Sequence, residues 1–390
     1  MITMRKPFAT LSVTALLIAP VACHGQHPDG PAPHSTQPKS TPNVVRAEIV
    51  VAGLSHPWGL EFLPDGRIIV TERDGRLRLV SREGKLSPPI AGVPLVQAYG
   101  QGGLLDVALD PAFAQNRTIY LSYAEPSVDK NLAGTAVARA VLSGDTALTN
   151  VRVIYRQEPK KGGGNHFGSR IVFQNDNTIF ITQGERFSYR EEAQDLRSLL
   201  GKVVRVHTDG TIPRDNPFVG RSDARPEIWS LGHRNMQGAA LDSATGRLWT
   251  IEHGPAGGDE LNHPEAGKNY GWPVIGYGLN YDGSKVGEGV EKAGMEQPVF
   301  YWDPVIAPSG MAIYSGNRYG PEWKGNIFVG SMNPGALVRL VMQNGAVAQE
   351  YRYLGELSSR IRDVKQGPDG YLYVATDESN GRIIRVVPVK

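Results

Sequence analysis

Residues 59–80 read GLEFLPDGRIIVTERDGRLRLV, in which two Asp-Gly pairs separate three short runs rich in apolar residues. Asp-Gly between apolar runs is the strongest short signal of a β-hairpin, because glycine adopts the positive φ of the turn at no steric cost. Residues 363–387, DVKQGPDGYLYVATDESNGRIIRVV, repeat this pattern near the C-terminus. Looser copies start at Asp106, Ser169, Gly238 and Gly310.

Six copies at intervals of roughly 50 to 70 residues predict a repeat architecture. Antiparallel hairpin blades that close into a ring leave only short exposed edges, which favours a propeller. The sequence therefore predicts an all-β fold, a six-bladed β-propeller of four-stranded antiparallel blades that forms one domain over residues 44–390. We expect a first strand near Val44–Val51 to join the last blade and close the ring.

Charge and cysteine content exclude two classes of protein. The 390 residues include 41 Lys and Arg against 39 Asp and Glu, a formal net charge of +2, and no run of basic residues follows the leader. A nucleic-acid partner is therefore not expected, since that binding depends on clustered positive charge. The single cysteine excludes a framework of intrachain disulfides.

The N-terminus has the pattern of an export signal, which we assign to residues 1–22. Arg5-Lys6 precedes a mostly apolar run over 8–22 that is too short to span a bilayer well. Cys23 follows this run as in the lipobox of bacterial lipoproteins, although Pro20 stands where leucine is usual. The sequence predicts a periplasmic or cell-envelope protein. Cys23 is either a lipid anchor to the membrane or incidental to ordinary cleavage nearby.

Residues 23–43 are rich in proline, histidine and small polar residues, and they predict a flexible tether. Its three histidines, His24, His27 and His34, fit a solvated linker better than a metal site, because nothing fixes their geometry. Beyond the tether, the best helical pattern is Glu191–Leu200. Long irregular connections are expected at 125–165, 183–229 and 252–309, and such connections are usually functional.

Five polar, glycine-rich clusters carry the chemistry, and four of them lie beside the inner strand of a predicted blade. We therefore expect them to meet at one end of the central channel. They are YGQGGLLDV (99–107), GGGNHFGSR (162–170), GHRNMQG (232–238), EHGPAGGDELNHPEAGKNYGW (252–272) and SSRIRDV (358–364).

From HPWG at 56–59 to the C-terminus, the sequence resembles the soluble pyrroloquinoline quinone (PQQ)-dependent aldose sugar dehydrogenases of the glucose/sorbosone dehydrogenase family. Several motifs occur in the family's order, so the resemblance does not depend on any one of them. They are GQGGLLDV, GGNHFGSRIVF, SLLGKVVRV, GHRNMQG, EHGPAGGDE, GKNYGWPVI, APSGM and RIRDVKQGPDGYLY.

The resemblance implies PQQ as cofactor and a role for each matching residue. A planar tricarboxylate with an electrophilic quinone needs cations, polarising donors and a base beside the substrate hydroxyl. His166 matches the family's base, which takes the proton from the C1 hydroxyl of an aldose sugar, and imidazole titrates in the required range. The residues that match cofactor contacts are Gln101, Arg234, Asn235 and, as a weaker match, Tyr281.

Arg360 and Arg362 occupy alternate strand positions, so their side chains are expected to point the same way and to hold carboxylates. A solvated, charged strand face is the simpler interpretation of this pair. One position departs from the family, because Asn333 stands near the place of a lysine that contacts the cofactor.

Calcium is the second ligand that the resemblance implies. Backbone carbonyls matching Gly254 and Pro255 would hold an ion that also binds PQQ, and hard cations prefer such oxygen ligands. A further structural calcium fits Glu260 and the carbonyl of Tyr270. Without calcium, Asp259 and Glu260 are ordinary loop acids.

Two other functions remain open at this stage. A calcium-dependent propeller hydrolase, such as a lactonase, would need several side-chain carboxylates at the channel floor. A non-catalytic binding propeller is possible on any such fold. The paired arginines and GGGNHFGSR favour the dehydrogenase, whose electron acceptor the sequence does not identify. Tyr301 and Trp302 could form a wall beneath the sugar or pack in the core.

Overall fold

The structure is a computed structural model and describes residues 33–35, 38–40, 44–174 and 176–389. The chain begins with β1 (His34–Ser35), β2 (Lys39–Ser40) and β3 (Val45–Leu54), followed by blade 1 with β4 (Pro57–Phe62), β5 (Ile68–Glu72) and β6 (Arg76–Val80). Blade 2 contains β7 (Leu104–Leu109), β8 (Thr118–Pro126), β9 (Ala133–Ser143) and β10 (Ala147–Arg156). Blade 3 contains β11 (Gly168–Phe173), β12 (Thr178–Gln183), β13 (Lys202–His207) and β14 (Ile228–Leu231).

The remaining three blades follow in the same order. Blade 4 contains β15 (Met236–Leu241), β16 (Leu248–Glu252), β17 (Asp259–Asn262) and β18 (Phe300–Trp302). Blade 5 contains β19 (Pro308–Ile313), β20 (Ile327–Ser331), β21 (Ala336–Gln343) and β22 (Ala346–Tyr353). Blade 6 contains β23 (Ile361–Gln366), β24 (Leu372–Thr376) and β25 (Gly381–Pro388).

The predicted six-bladed propeller is confirmed, because the first strand of each blade lies against the first strand of the next. Contacts run in sequence through β4, β7, β11, β15, β19 and β23, and β23 returns to β4. Each of the six sequence repeats begins on one of these inner strands. Apolar clusters fill the space between neighbouring blades, as between β5 and β8, where Ile69 and Leu121 are both fully buried.

The ring closes as expected, since β3 pairs antiparallel with β25 and supplies the fourth strand of blade 6. Within the described residues, blade 1 has three strands, and blades 4 and 5 each gain a fifth, parallel strand from β1 and β2. Two short pieces of the predicted tether therefore pair with blade edges. The exposed His34 stacks on Tyr301, with ring centroids 5.0 Å apart. Trp302 is fully buried and bonds Glu350, so it belongs to the core.

Two local predictions were wrong. The segment 125–165 is not an irregular connection, because most of it forms β9 and β10. The alternation of apolar and polar residues that marks a strand is weak there, since alanine occupies many positions. The predicted helix over Glu191–Leu200 is only a 3-10 turn at Arg190–Ala193. The buried ammonium of Lys202 donates hydrogen bonds to the carbonyls of Glu192, Ala193 and Leu200. These carbonyls therefore bond a side chain and do not accept the backbone N–H groups of a longer helix.

Helix is scarce elsewhere, as predicted. One four-residue α-helix, α1 (Phe113–Asn116), and 3-10 turns at Pro321–Trp323 and Gly355–Leu357 complete the elements of the described residues. In that part of the chain no helix is long and apolar enough to cross a membrane. The predicted leader, Cys23, His24 and His27 lie outside the described residues, and the predictions about them stay predictions.

Candidate active site

The inner strands start together at one end of the ring. The third residue of each strand meets the third residue of its neighbour. An added Cβ on Gly59 would lie 3.1 Å from the Cα of Asp106, and one on Gly310 would lie 2.7 Å from the Cα of Asp363. The starts of neighbouring inner strands also meet, since the N–H of Gly168 at the start of β11 donates to Asn235 just before β15 at 3.2 Å, so these strands run in the same direction. The predicted clusters that precede them therefore converge at one mouth of the channel.

His166 lies at this mouth, just before β11, with a φ of 54° and almost no exposed surface. Its backbone N–H donates to Oε1 of Gln101 at 2.9 Å, which joins two of the predicted residues directly. Its ring Nδ1 lies 2.6 Å from Oε2 of Glu185. With Nδ1–H donating to that carboxylate, Nε2 is the ring atom that can accept a proton.

Burial sets the protonation of this histidine. Loss of solvent lowers the pKa of His166 below its ordinary value, and the charge and hydrogen bond of Glu185 act in the opposite direction. His166 is therefore a neutral, oriented base at neutral pH. Sequence analysis missed Glu185, which is itself buried beyond the end of β12. The available signal was an acidic residue after a glycine at the end of an inner hairpin.

Arg234 and Asn235 lie beside His166, just before β15. Arg234 donates to the carbonyl of His253 at 3.0 Å and lies 3.4 Å from the hydroxyl of Tyr281. Asn235 accepts a hydrogen bond from the N–H of Gly168 at 3.2 Å. Four side-chain nitrogens around this mouth are buried without a partner, namely Arg234 Nε, Asn235 Nδ2, His253 Nε2 and Trp272 Nε1.

Unpaired buried donors are costly unless a ligand or water satisfies them. A cavity of about 230 Å³ opens next to them. Its lining includes Glu185, Arg234, Pro255, Trp272 and Tyr281. The cavity is therefore bordered by two of the residues with unpaired nitrogens, Arg234 and Trp272, and by Glu185, the partner of His166.

The structure separates the two C-terminal arginines. Arg362 is buried and already paired, with Nη2 at 2.5 Å from Asp377 and Nη1 at 2.6 Å from Gln237. The side chain of Arg360 is 54% exposed and reaches no closer than 3.8 Å to Asp377. Both side chains approach the carboxylate of Asp377, which directly follows β24, but only Arg362 is held tightly by it. Arg360 is the one of the two with an exposed guanidinium.

Main-chain geometry around Gly254 and Pro255 is fixed by Asp259. Its carboxylate accepts from the N–H of Gly254 at 2.8 Å and from the N–H groups of Ile306 and Ala307 at 2.7 and 2.8 Å. Asp259 is buried, and burial raises its pKa to about 7. The interpretation of Asp259 as a solvated loop acid is therefore wrong, since it holds two loops together.

Glu260 and Tyr270 line a second, smaller cavity of about 20 Å³, together with Glu252. Asn262 bridges the two carboxylates, with Nδ2 at 3.1 Å from Glu252 and 3.0 Å from Glu260, while its own Oδ1 is buried without a partner. Burial, and then the charge of Glu252, raise the pKa of Glu260. The space is large enough for a water-sized occupant. The arrangement of oxygen atoms suits a hard cation.

Among the described residues, no group of three or more His, Cys, Asp or Glu side chains is arranged to hold a metal. The carboxylates deeper in the channel have basic partners: Arg170 joins Asp106 and Asp363, and Lys365 pairs with Glu61. Asn333 lies exposed after β20, next to Met332, whose sulfur contacts Arg360. The mouth thus has the arginine, amide and histidine groups expected of a dehydrogenase propeller.

Comparisons with known proteins identify the family. The model described as Glucose / Sorbosone dehydrogenase matches residues 54–385. The chain is 48% identical over 353 residues to Aldose sugar dehydrogenase YliI from Escherichia coli, covering 90% of this chain and 94% of that protein. The chain therefore belongs to the glucose/sorbosone dehydrogenase family, and the predicted oxidoreductase class is confirmed.

Solved structures agree with this assignment. The soluble aldose sugar dehydrogenase from Escherichia coli in its apo-form has a TM-score of 0.86 at 47% identity, covering 88% of this chain and all of that one (100%). The PQQ-bound form of an aldose sugar dehydrogenase from Streptomyces coelicolor has a TM-score of 0.73 at 28% identity, covering 88% and 97%.

Proposed function

We propose that this protein oxidises the C1 hydroxyl of aldose sugars to lactones, with PQQ as hydride acceptor, calcium as second cofactor and His166 as base. The observation that carries the proposal is the pair of His166 and Glu185 beside a cavity with unpaired buried donors. The PQQ-bound homologue and the quinoprotein glucose dehydrogenase B of Acinetobacter calcoaceticus, 28% identical, support the choice of cofactor.

The residues at the mouth fit a flat, anionic, oxygen-rich molecule. Arg234 Nε and Asn235 Nδ2 are buried donors that lack partners, and Arg360 adds an exposed guanidinium. The ring of Trp272 lies 5.2 Å from the guanidinium carbon of Arg234. Arginine suits this task because its donors stay charged and match carboxylate geometry. When bound, PQQ supplies an electrophilic quinone carbonyl that accepts a hydride.

His166 holds the proton that leaves the sugar hydroxyl. Its Nδ1 is committed to Glu185, so Nε2 accepts, and the buried carboxylate stabilises the resulting imidazolium. Gln101 fixes the backbone of the base through the N–H of His166. Phe187 covers the ring edge-on, with centroids 5.3 Å apart, and limits the access of water.

Calcium would occupy two places. The carbonyls of Gly254 and Pro255, held in position by Asp259, would bind the ion that acts on the cofactor. Glu260, Asn262 and the carbonyl of Tyr270 would bind a structural ion in the smaller cavity. Two carboxylates that share one buried site favour a cation between them.

The test is reconstitution. Purified protein, freed of metal, is titrated with PQQ in the presence and absence of calcium while the absorbance of the cofactor is followed, and glucose is then added. We expect saturable, calcium-dependent binding, followed by bleaching of the oxidised chromophore and reduction of an artificial dye. Failure to bind PQQ with calcium present would remove the dehydrogenase mechanism and leave the hydrolase or binding-propeller alternatives.

A further inference from the structure

Exposed aromatic rings surround the mouth of the site. Tyr99 is 64% exposed, and Phe187 and Tyr281 are also exposed. Large exposed aromatic side chains that are held beside a site mark binding surfaces, because they offer contact area at little entropic cost. Phe187 and Tyr281 line the cavity assigned to the cofactor, whereas Tyr99 is not among its lining residues.

The ring of Tyr99 is fixed in place by its neighbours. An added Cβ on Gly164 would lie 2.9 Å from Cδ1 and 3.0 Å from Cε1 of Tyr99, so the ring rests directly on the backbone of Gly164. The N–H of Gln101 donates to the carbonyl of Gly164 at 2.7 Å, which locks the two loops together. Gly102 then donates to the carbonyl of Tyr99 at 3.0 Å.

These contacts place Tyr99 next to the base. Gly164 precedes His166 by two residues, and Gln101, two residues after Tyr99, bonds the N–H of His166. The ring therefore shares one hydrogen-bonded unit with His166, although most of its surface meets solvent. An exposed ring on the same pair of loops as the base is available to a sugar that extends beyond the reacting hydroxyl.

If PQQ fills the cavity as proposed, a sugar would make its contacts at the rim. A pyranose presents one largely apolar C–H face, which a flat aromatic ring can cover. We propose that Tyr99 binds the second hexose ring of an oligosaccharide whose reducing end reacts at His166. This inference rests on the proposed function and adds a residue that sets preference for longer sugars.

The test compares glucose with the α-1,4-linked glucose trisaccharide, using the reconstituted enzyme and a soluble dye. Tyr99→Ala should lower kcat/KM for the trisaccharide by about 3- to 10-fold, the scale of one aromatic contact, and leave glucose within about twofold. Tyr99→Phe should retain the wild-type ratio, because the ring remains. Leu95→Ala is the matched control, since Leu95 is equally exposed on the same connection.

Three results would overturn the assignment. Equal losses on both sugars would mean that Tyr99 only supports the loop of the base. No loss on either would mean that the ring touches no substrate. A loss confined to reduction of a protein electron acceptor, with dye reduction normal, would make Tyr99 part of a docking surface instead.

Binding without turnover separates this inference from the proposed function. Saturation-transfer NMR on the purified chain should show transfer to protons of the second ring of the trisaccharide for wild type, and its loss in Tyr99→Ala. If no sugar is oxidised but this difference persists, the sugar contact stands and the dehydrogenase proposal fails. If sugars are oxidised and wild type shows no transfer to the second ring, the contact is wrong.

Discussion

The middle of the channel and its mouth both contain buried polar and charged side chains, which are paired in the middle and partly unpaired at the mouth. In the middle, Arg170 lies 3.0 Å from both Asp106 and Asp363, and all three side chains are buried. At the mouth, Arg234 and Asn235 are equally buried but keep nitrogen atoms without partners. The side chains in the middle of the channel satisfy one another's hydrogen bonds, whereas those at the mouth leave donors that only a ligand or water can satisfy.

The paired layer depends on its small neighbours. It is formed by the third residues of the six inner strands, and the three uncharged members are Gly59, Gly238 and Gly310. An added Cβ on Gly310 would lie 2.9 Å from Nη2 of Arg170, and one on Gly59 would lie 2.9 Å from Oδ1 of Asp106. Glycine thus makes room for an ionic layer that holds the inner strands in register. The middle layer therefore stabilises the ring, whereas the unpaired nitrogens of Arg234 and Asn235 at the mouth are left for a ligand or water.

Removing the base tests the mouth most strongly. His166→Ala should lower turnover with a soluble dye by roughly 10²–10⁴-fold, because a positioned base contributes about that much. PQQ should still bind through Arg234, Asn235 and Arg360, so titration of the cofactor measures a folded, loaded variant. Near-normal glucose oxidation by this variant, with PQQ bound, would show that another group takes the proton.

Breaking the paired layer should affect stability instead. Arg170→Leu leaves the buried Asp106 and Asp363 without the cation that they bond directly, which costs about 3–5 kcal/mol of unfolding free energy. Denaturant unfolding measures this loss. Arg156→Leu is the control, since Arg156 pairs with Glu125 at a half-exposed site and should cost at most about 1 kcal/mol. Similar losses in the two variants would mean that the central layer is not structurally special.

The sequence was sufficient to predict the repeats, but not to predict which charged side chains are paired. Asp-Gly turns at Asp65 and Asp369 marked the first and last hairpins, because the turn chemistry is local. Arg360 and Arg362 looked equivalent, since strand alternation cannot show that Asp377 holds only the second of them tightly. Glu185 was missed for the same reason, because its partner lies 19 residues away. Both pairs form inside a single blade, between the start of its inner strand and the end of its second strand, so they depend on how the folded hairpin aligns those two ends.

Calcium should provide a partner for the buried oxygen atoms near Glu260. An ion that binds only the folded state stabilises it by about 2.7 kcal/mol at 100 times its dissociation constant. Chelation should therefore lower the Tm by several degrees, and calcium should restore it. Magnesium should restore less, because it demands tighter geometry. Glu260→Gln should lose this response, while the exposed loop variant Glu291→Gln keeps it. An unchanged Tm after chelation, with the metal shown absent by elemental analysis, would remove the structural ion.

The smallest expected effect concerns Glu185, whose buried carboxylate lies 2.6 Å from Nδ1 of the base. Burial lowers the pKa of His166, so the neutral base is present at neutral pH, and activity should be lost as pH falls through that lowered pKa. The charge and hydrogen bond of Glu185 raise the pKa of His166 against burial. Glu185→Gln should therefore move the acid limb of kcat to lower pH.

The same change should lower the plateau of kcat by about tenfold, since the imidazolium loses its stabilising partner. The measurement is a pH profile of dye reduction at saturating glucose, with PQQ occupancy checked by absorbance at each pH. Glu191→Gln is the control, because Glu191 is an exposed acid of the following connection. A limb that stays in place while the rate falls would mean that Glu185 only positions the ring. A shift to higher pH would contradict the assignment of His166 as the titrating base, because loss of a neighbouring negative charge can only favour the neutral imidazole.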